Sequence, residues 1–346
     1  MKLFVPLSAI AAAVAVAAQA TPPTLYTFGD AFSSLGTASQ LAPVLALPPP
    51  FGLGQIPSAP AWSEFLAPLL GYNLTTAVAS SAARSLSPLA IPSSQDQINF
   101  VKAVQPFFAQ AASHSNDIAV LETGFDNLLV NVLGAASGAA SPDTSIATLV
   151  ATTIGQLEQL RKIGFRNFII PDMIDIQSTP LAQLLPAAAA AGSTVAQYNK
   201  ALPQQVAAWA SNATGLGTVA LLPLGEFVNT VLQSPPLWQA LGLTDVQAAC
   251  IAGNAANLAL APITPDVVVQ LVASLFAGTV CDNPSTHLFL DGIHLAERVQ
   301  RLLGHFVQSL LNAARNGQSF EPTVANLLGL ISTFNLGAPA PNPTQV

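Results

Sequence analysis

Short apolar runs rich in β-branched and aromatic residues alternate along this chain with longer stretches whose apolar positions recur at helical spacing. Residues 24–28, TLYTF, read as a first strand that stops at Gly29-Asp30, with helical pattern following. WSEFLAPLLG (62–71) is a short amphipathic helix ending on Gly71. In residues 94–112 apolar side chains fall at 98, 101, 104, 107 and 108, again a helix. DIAVLETG (117–124) reads as a buried strand turning at Gly124, and residues 145–164 as a long helix closed by Gly164. NFIIPDM (167–173) is a strand ending in a polar turn. Residues 195–211 form a helix in which Pro203 predicts a kink. GTVALLPLGEF (217–227) predicts another strand, THLFLDGIH (286–294) a strand end plus loop, and 295–315 a strongly periodic helix. Residues 38–60, rich in Pro, Gly and Ala, read as a surface loop, and 228–280 carries no readable motif.

Strands alternating with helices predict an α/β fold: a flavodoxin-like three-layer α/β/α sandwich around a central parallel sheet. A single domain is expected over 21–336, with a disordered Pro-rich tail at 337–346. Ligands in such folds bind outside the carboxyl ends of the strands. Those ends are Gly29-Asp30-Ala31, Gly124-Phe125-Asp126-Asn127, Asp172-Met173, and the loop holding Asp291 and His294.

Composition narrows the picture. The chain has 346 residues, 51% hydrophobic and 8% charged, enough apolar material for a large core and too much for a disordered chain. The net charge of −7 and the scattered Lys and Arg leave no basic face for nucleic acid. Lys2, the apolar residues 3–18 and Ala18-Gln19-Ala20 form a secretory signal, so residues 1–20 are expected to be removed and the protein secreted. The apolar segment is short with no stop-transfer pattern after it, and the Ala-rich run 181–192 is broken by Pro186, so no membrane span is expected. In an oxidising compartment the two cysteines, Cys250 and Cys281, are expected to pair, closing a loop of about 30 residues worth roughly 3 kcal/mol. Asn73 and Asn212 begin glycosylation sequons. No metal or other cofactor is expected, and the chain is expected to be a monomer.

Asp291-Gly292-Ile293-His294 places a carboxylate three residues ahead of an imidazole, the pairing that orients a general base and stabilises its cation. His114, His287 and His305 read as ordinary surface or helix residues. With Gly29-Asp30 after the first strand and Gly124 with Asp126-Asn127 after a later one, this order resembles the SGNH hydrolases, also called GDSL lipases and esterases. "FGDAFSSLG", "LETGFDNLL", "LEQLRKIGFRNFIIPDM" and "CDNPSTHLFLDGIHLAERVQRLL" carry the resemblance over nearly the whole mature chain.

The resemblance implies a secreted hydrolase of ester bonds in acylated carbohydrates or lipids, with a serine nucleophile, an oxyanion hole and an Asp–His pair. Asp291 and His294 match that pattern, as do Gly29 and Asp30, but the nucleophile position is Ala31. Ser33 and Ser34 follow in the same segment and are not expected to replace it. The second block, in TTAVASSAA (75–83), lacks its glycine and leaves Ser80 in that region. In the third block Asp and Asn are exchanged, so Asp126 stands where an amide donor is expected and Asn127 follows it. An ionised carboxylate accepts hydrogen bonds and donates none. Losing one oxyanion donor lowers kcat by about 100- to 1,000-fold. The reading is therefore of a hydrolase fold with impaired catalysis. Two alternatives stand beside it: an active esterase using water or an unusual nucleophile, and a binding or wall-associated structural protein.

Overall fold

A computed structural model describes residues 22–29, 61–76, 93–104, 114–125, 127–128, 145–184, 192–251 and 280–338. In chain order its elements are β1 (Thr24–Gly29), α1 (Trp62–Leu70), β2 (Asn73–Thr76), α2 (Ser94–Val104), β3 (Ile118–Glu122), α3 (Ile146–Ile163) and β4 (Asn167–Pro171). Then come α4 (Pro180–Leu184), α5 (Gly192–Asn212), β5 (Val219–Leu222), α6 (Leu224–Gln233) and α7 (Pro235–Leu241). The last are β6 (Asp245–Ala249), β7 (His287–Phe289), α8 (Glu297–Arg315) and α9 (Val324–Phe334).

Five strands form a parallel sheet in the order β2-β1-β3-β4-β5. This is a doubly wound order, with the chain running outward from β1 in one direction and from β3 in the other. Right-handed crossovers in opposite directions place their helices on opposite faces. Accordingly α1 packs with α8 on one face, while α2, α3 and α5 pack side by side on the other. The expected three-layer α/β/α architecture is the observed one. The strand order reverses between β1 and β3.

The core residues explain the strands. All five residues of β3 are buried, as are Leu25 and Phe28 of β1 and Phe168, Ile169 and Ile170 of β4. A strand covered on both faces reads as a continuous apolar run rather than an alternating one. In α8, Val299, Leu302, Phe306 and Leu310 are buried at helical spacing. Gly304 lets α1 approach closely, since a Cβ there would lie 2.9 Å from Phe65 Cβ and 3.1 Å from the carbonyl oxygen of Trp62. The Trp62 N–H donates to Gln300 Oε1 across the same contact at 2.9 Å.

Two local expectations differ from the structure, the strand over 217–227 and the reading of His114. The strand expected over 217–227 ends at Leu222, and α6 begins at Leu224. Pro223 cannot donate to a ladder, and the Asp172 carboxylate accepts from the Gly225 N–H at 2.8 Å, so the apolar run divides there into strand and helix. The helix expected over 195–211 is α5, Gly192–Asn212, with Pro203 inside it. His114 is not an isolated side chain: its Nδ1 lies 2.8 Å from Asp117 Oδ2, and it stacks on Phe165 with ring centroids 4.4 Å apart. Helices α6, α7 and α9, and the short edge strand β2, had no counterpart in the sequence reading. The signal segment, the loop 38–60 and the tail beyond Ala338 lie outside the described residues. Among the described residues no helix is long and apolar enough to cross a membrane.

Candidate functional site

The C-terminal loop is built around Asp291, which is fully buried. One carboxylate oxygen, Oδ1, accepts the backbone N–H groups of Ile293 at 2.9 Å and His294 at 2.8 Å. The other, Oδ2, lies 2.7 Å from His294 Nδ1. This tight turn is closed by the Leu290 N–H donating to the His294 carbonyl at 2.7 Å and by the Leu181 N–H donating to the Gly292 carbonyl at 2.9 Å. Burial by itself would raise the Asp291 pKa, but the neighbouring His294 and the three hydrogen bonds outweigh it and hold the carboxyl below its usual range. An ionised Asp291 sets the proton of a neutral His294 on Nδ1, which makes Nε2 the basic atom of the ring.

The disulfide lies beside this loop, Cys250 clustering with Leu290 and Ala296. Cys250, just past β6, is bonded to Cys281, with Cα atoms 5.0 Å apart, and its N–H donates at 3.1 Å to the carbonyl of Phe289, the last residue of β7 before the Asp291 loop. Cys250, Cys281 and His287 are close enough together to suggest a metal site, but both sulfurs are consumed in the disulfide and no thiolate is left to bind.

Gly29 closes β1 with φ of 114°, paired with Glu122 of β3. A Cβ at Gly29 would lie 1.4 Å from the carbonyl oxygen of Glu122, so only glycine fits. Its N–H donates to Gln97 Oε1 on α2 at 2.9 Å. Gly124 closes β3 with φ of 104°, facing Met173. A helical turn follows, with the Leu128 N–H donating to the Gly124 carbonyl at 3.0 Å, and Phe125 and Asn127 are both buried in it. Asp30, Ala31, Ser33, Ser34, Ser80 and Asp126 lie outside the described residues. Asn73 and Asn212 are exposed, on β2 and at the end of α5.

A layer of buried polar side chains lies beneath these strand ends. Ser94 Oγ is 3.3 Å from Thr123 Oγ1 and accepts from Gln156 Nε2 at 2.9 Å. Tyr198 donates to the Thr123 carbonyl at 3.3 Å. Helices α2, α3 and α5 are thereby tied to the end of β3.

Between β3 and β4 a small cleft is lined by Glu122, Thr123, Phe125, Asp172, Met173 and Leu224 among others. Burial pushes the Asp172 carboxyl up to about 7, with the Glu226 charge adding to the rise and the N–H groups of Gly225 and Leu224 opposing it. The sequence had marked Asp172 as a strand end. Neither Glu122 nor Gln97 was singled out, and no motif marks them.

No protein-family model matches the chain, and no curated protein does. Among solved structures, one similar to it is a member of the lipolytic protein G-D-S-L family from Veillonella parvula. The two share 12% identity, with a TM-score of 0.38, over 84% of this chain and 98% of that one.

Proposed function

We propose that this chain is a secreted protein of the GDSL esterase type that keeps the hydrolase fold and the acid–base pair but has lost ester hydrolysis, its cleft holding an acylated carbohydrate or lipid. The observation that supports this most directly is the preassembled Asp291–His294 pair, at 2.7 Å, in a chain whose nucleophile position is Ala31. With alanine at the position of the serine nucleophile the covalent route of that family is lost, and catalysis by the remaining groups is slower by orders of magnitude. Asp126 in place of an amide removes a donor from the same site, so two roles are altered together.

The test is hydrolysis of p-nitrophenyl acetate. The unaltered protein is expected to stay at background, and Ala31→Ser with Asp126→Asn to exceed it clearly; robust turnover by the unaltered protein sinks the reading.

A second reading, an esterase in which His294 activates water directly, is favoured by the same geometry, because the Nδ1–H tautomer makes Nε2 able to accept a proton from water. It requires turnover of a short acyl ester with no labelling by a fluorophosphonate probe, a combination that the impaired reading does not allow.

A further inference from the structure

The disulfide has a third donor beside it. His287 opens β7, and its Nδ1 lies 3.6 Å from Cys281 Sγ. With Cys250 Sγ, the three donor atoms all fall within 4.8 Å of one another. Cys250 is buried, whereas Cys281 and His287 are half-buried, so solvent reaches the trio from their side.

Two thiolates and a neutral imidazole are a zinc ligand set. Zinc–sulfur bonds of about 2.3 Å and zinc–nitrogen bonds of about 2.0–2.1 Å place a tetrahedral ion's sulfur and nitrogen about 3.6 Å apart, and its two sulfurs about 3.8 Å apart. The separation of Cys281 and His287 already has the first value. Only the sulfurs must part, which requires the bond between them to break. His287 Nδ1 is also 3.2 Å from the Asn283 carbonyl, which can only accept, so in the disulfide form Nδ1 carries the ring proton. A metal ion takes the place of that proton, which moves to Nε2.

The backbones that carry these groups are held without the sulfur–sulfur bond. The Cys281 N–H donates to the Cys250 carbonyl at 3.0 Å, and the Ile251 N–H to the Leu290 carbonyl at 2.7 Å. His287 is paired with Asp245 of β6. Reduction therefore leaves three donors on one hydrogen-bonded frame.

We propose that Cys250, Cys281 and His287 form a redox-gated site for a thiophilic divalent cation of the Zn2+ class, closed while the disulfide stands and opened by a small dithiol. A thiolate of the dithiol attacks the Cys281 sulfur, the more accessible of the two, and Cys250 leaves as a thiolate. The second thiol of the reagent then displaces Cys281, and the reagent departs as a cyclic disulfide, having supplied two electrons and two protons. Metal binding releases those two protons from the cysteines, and water fills the fourth position.

The experiment titrates Zn2+ into the full chain against a chromogenic chelator. One sample is oxidised, and the other is reduced with dithiothreitol and desalted under argon. The reduced chain is expected to bind one Zn2+ with Kd below about 1 μM and to gain Tm on binding, and the oxidised chain to do neither. In the reduced state His287→Ala is expected to bind at least about 10-fold more weakly, since losing a ligand costs no less than losing a group behind one. Co2+ in place of Zn2+ is expected to show thiolate-to-metal charge transfer and the intense visible bands of a tetrahedral ion. Equal affinity in the parent and His287→Ala overturns the proposal, because freed thiols that take up zinc without a built site give that result. Equal binding by the oxidised chain, or no binding by the reduced one, also overturns it. So does loss of the folded far-UV circular dichroism on reduction, because the frame then depends on the disulfide.

Discussion

His305 of α8 lies flat against Phe334 of α9, with ring centroids 4.1 Å apart and planes 20° from parallel. Burial, and after it the charge of Arg301 one turn away, pulls the imidazole down to about 4, so it is neutral in the folded protein at neutral pH. Helix α9 carries no ionisable residue, and the other charged groups on this part of α8 are Glu297 and Arg298. In the unfolded chain His305 protonates near its ordinary value of about 6.5. Its contribution is therefore complete above about 6.5 and is lost as pH falls toward 4. His305→Leu is expected to flatten the unfolding free energy between those values, by on the order of 1 kcal/mol after solvent screening, in urea titrations at stepped pH.

Asp172 gives the opposite slope. Its folded value of about 7 lies above that of a free carboxylate, so the native state binds the extra proton and stability declines as pH rises toward 7. Asp172→Asn keeps an acceptor for the Gly225 N–H and removes the buried charge. The variant is expected to be more stable than the parent at pH 8, by on the order of 2 kcal/mol, and to show no such advantage at pH 4. Paired thermal melts at the two pH values check this.

Gly29→Ala is expected to destabilise by more than about 3 kcal/mol, because the added carbon meets a backbone carbonyl that no side-chain rotation can move. Gly71→Ala supplies the control, since a positive φ recurs there with open space around it. It is expected to lose only about 1 kcal/mol. Comparable losses at both sites in chemical denaturation would contradict the steric account.

Arg301 donates through Nη2 to the carbonyls of Leu336 and Ala338, just past the end of α9, and Arg298 donates to those of Leu241 and Gly242 at the end of α7. Two buried guanidinium groups on one helix thus cap the carboxyl ends of two others. Arg301→Met is expected to speed hydrogen exchange in 324–334 at least 10-fold while leaving β3 protected. Equal acceleration in both segments would mean global unfolding instead.

Much of the frame was legible because it is written in short-range pattern. The apolar runs at 118–122 and 167–171 belong to strands buried on both faces, and Gly29 and Gly124 stop their strands with positive φ. Asp291 and His294 were found because they stand three positions apart. His114 and Asp117 have the same spacing in the reverse order, so the rule that found one pair would have found the other. Helix α9 also had a local signal, since Thr323 caps it by accepting the Asn326 N–H at 3.2 Å. Gln97 had none. Its meaning lies in a contact to Gly29, 68 residues away, and neither residue's local sequence specifies the other.

The Arg301 contacts also reach past α9 into the residues that follow it. A chain cut after Phe334 keeps all of α9 but strands a buried guanidinium without its carbonyls, whereas one cut after Ala338 keeps both acceptors. Four residues with no secondary structure of their own thus separate a trimmed protein that holds its last helix from one that releases it.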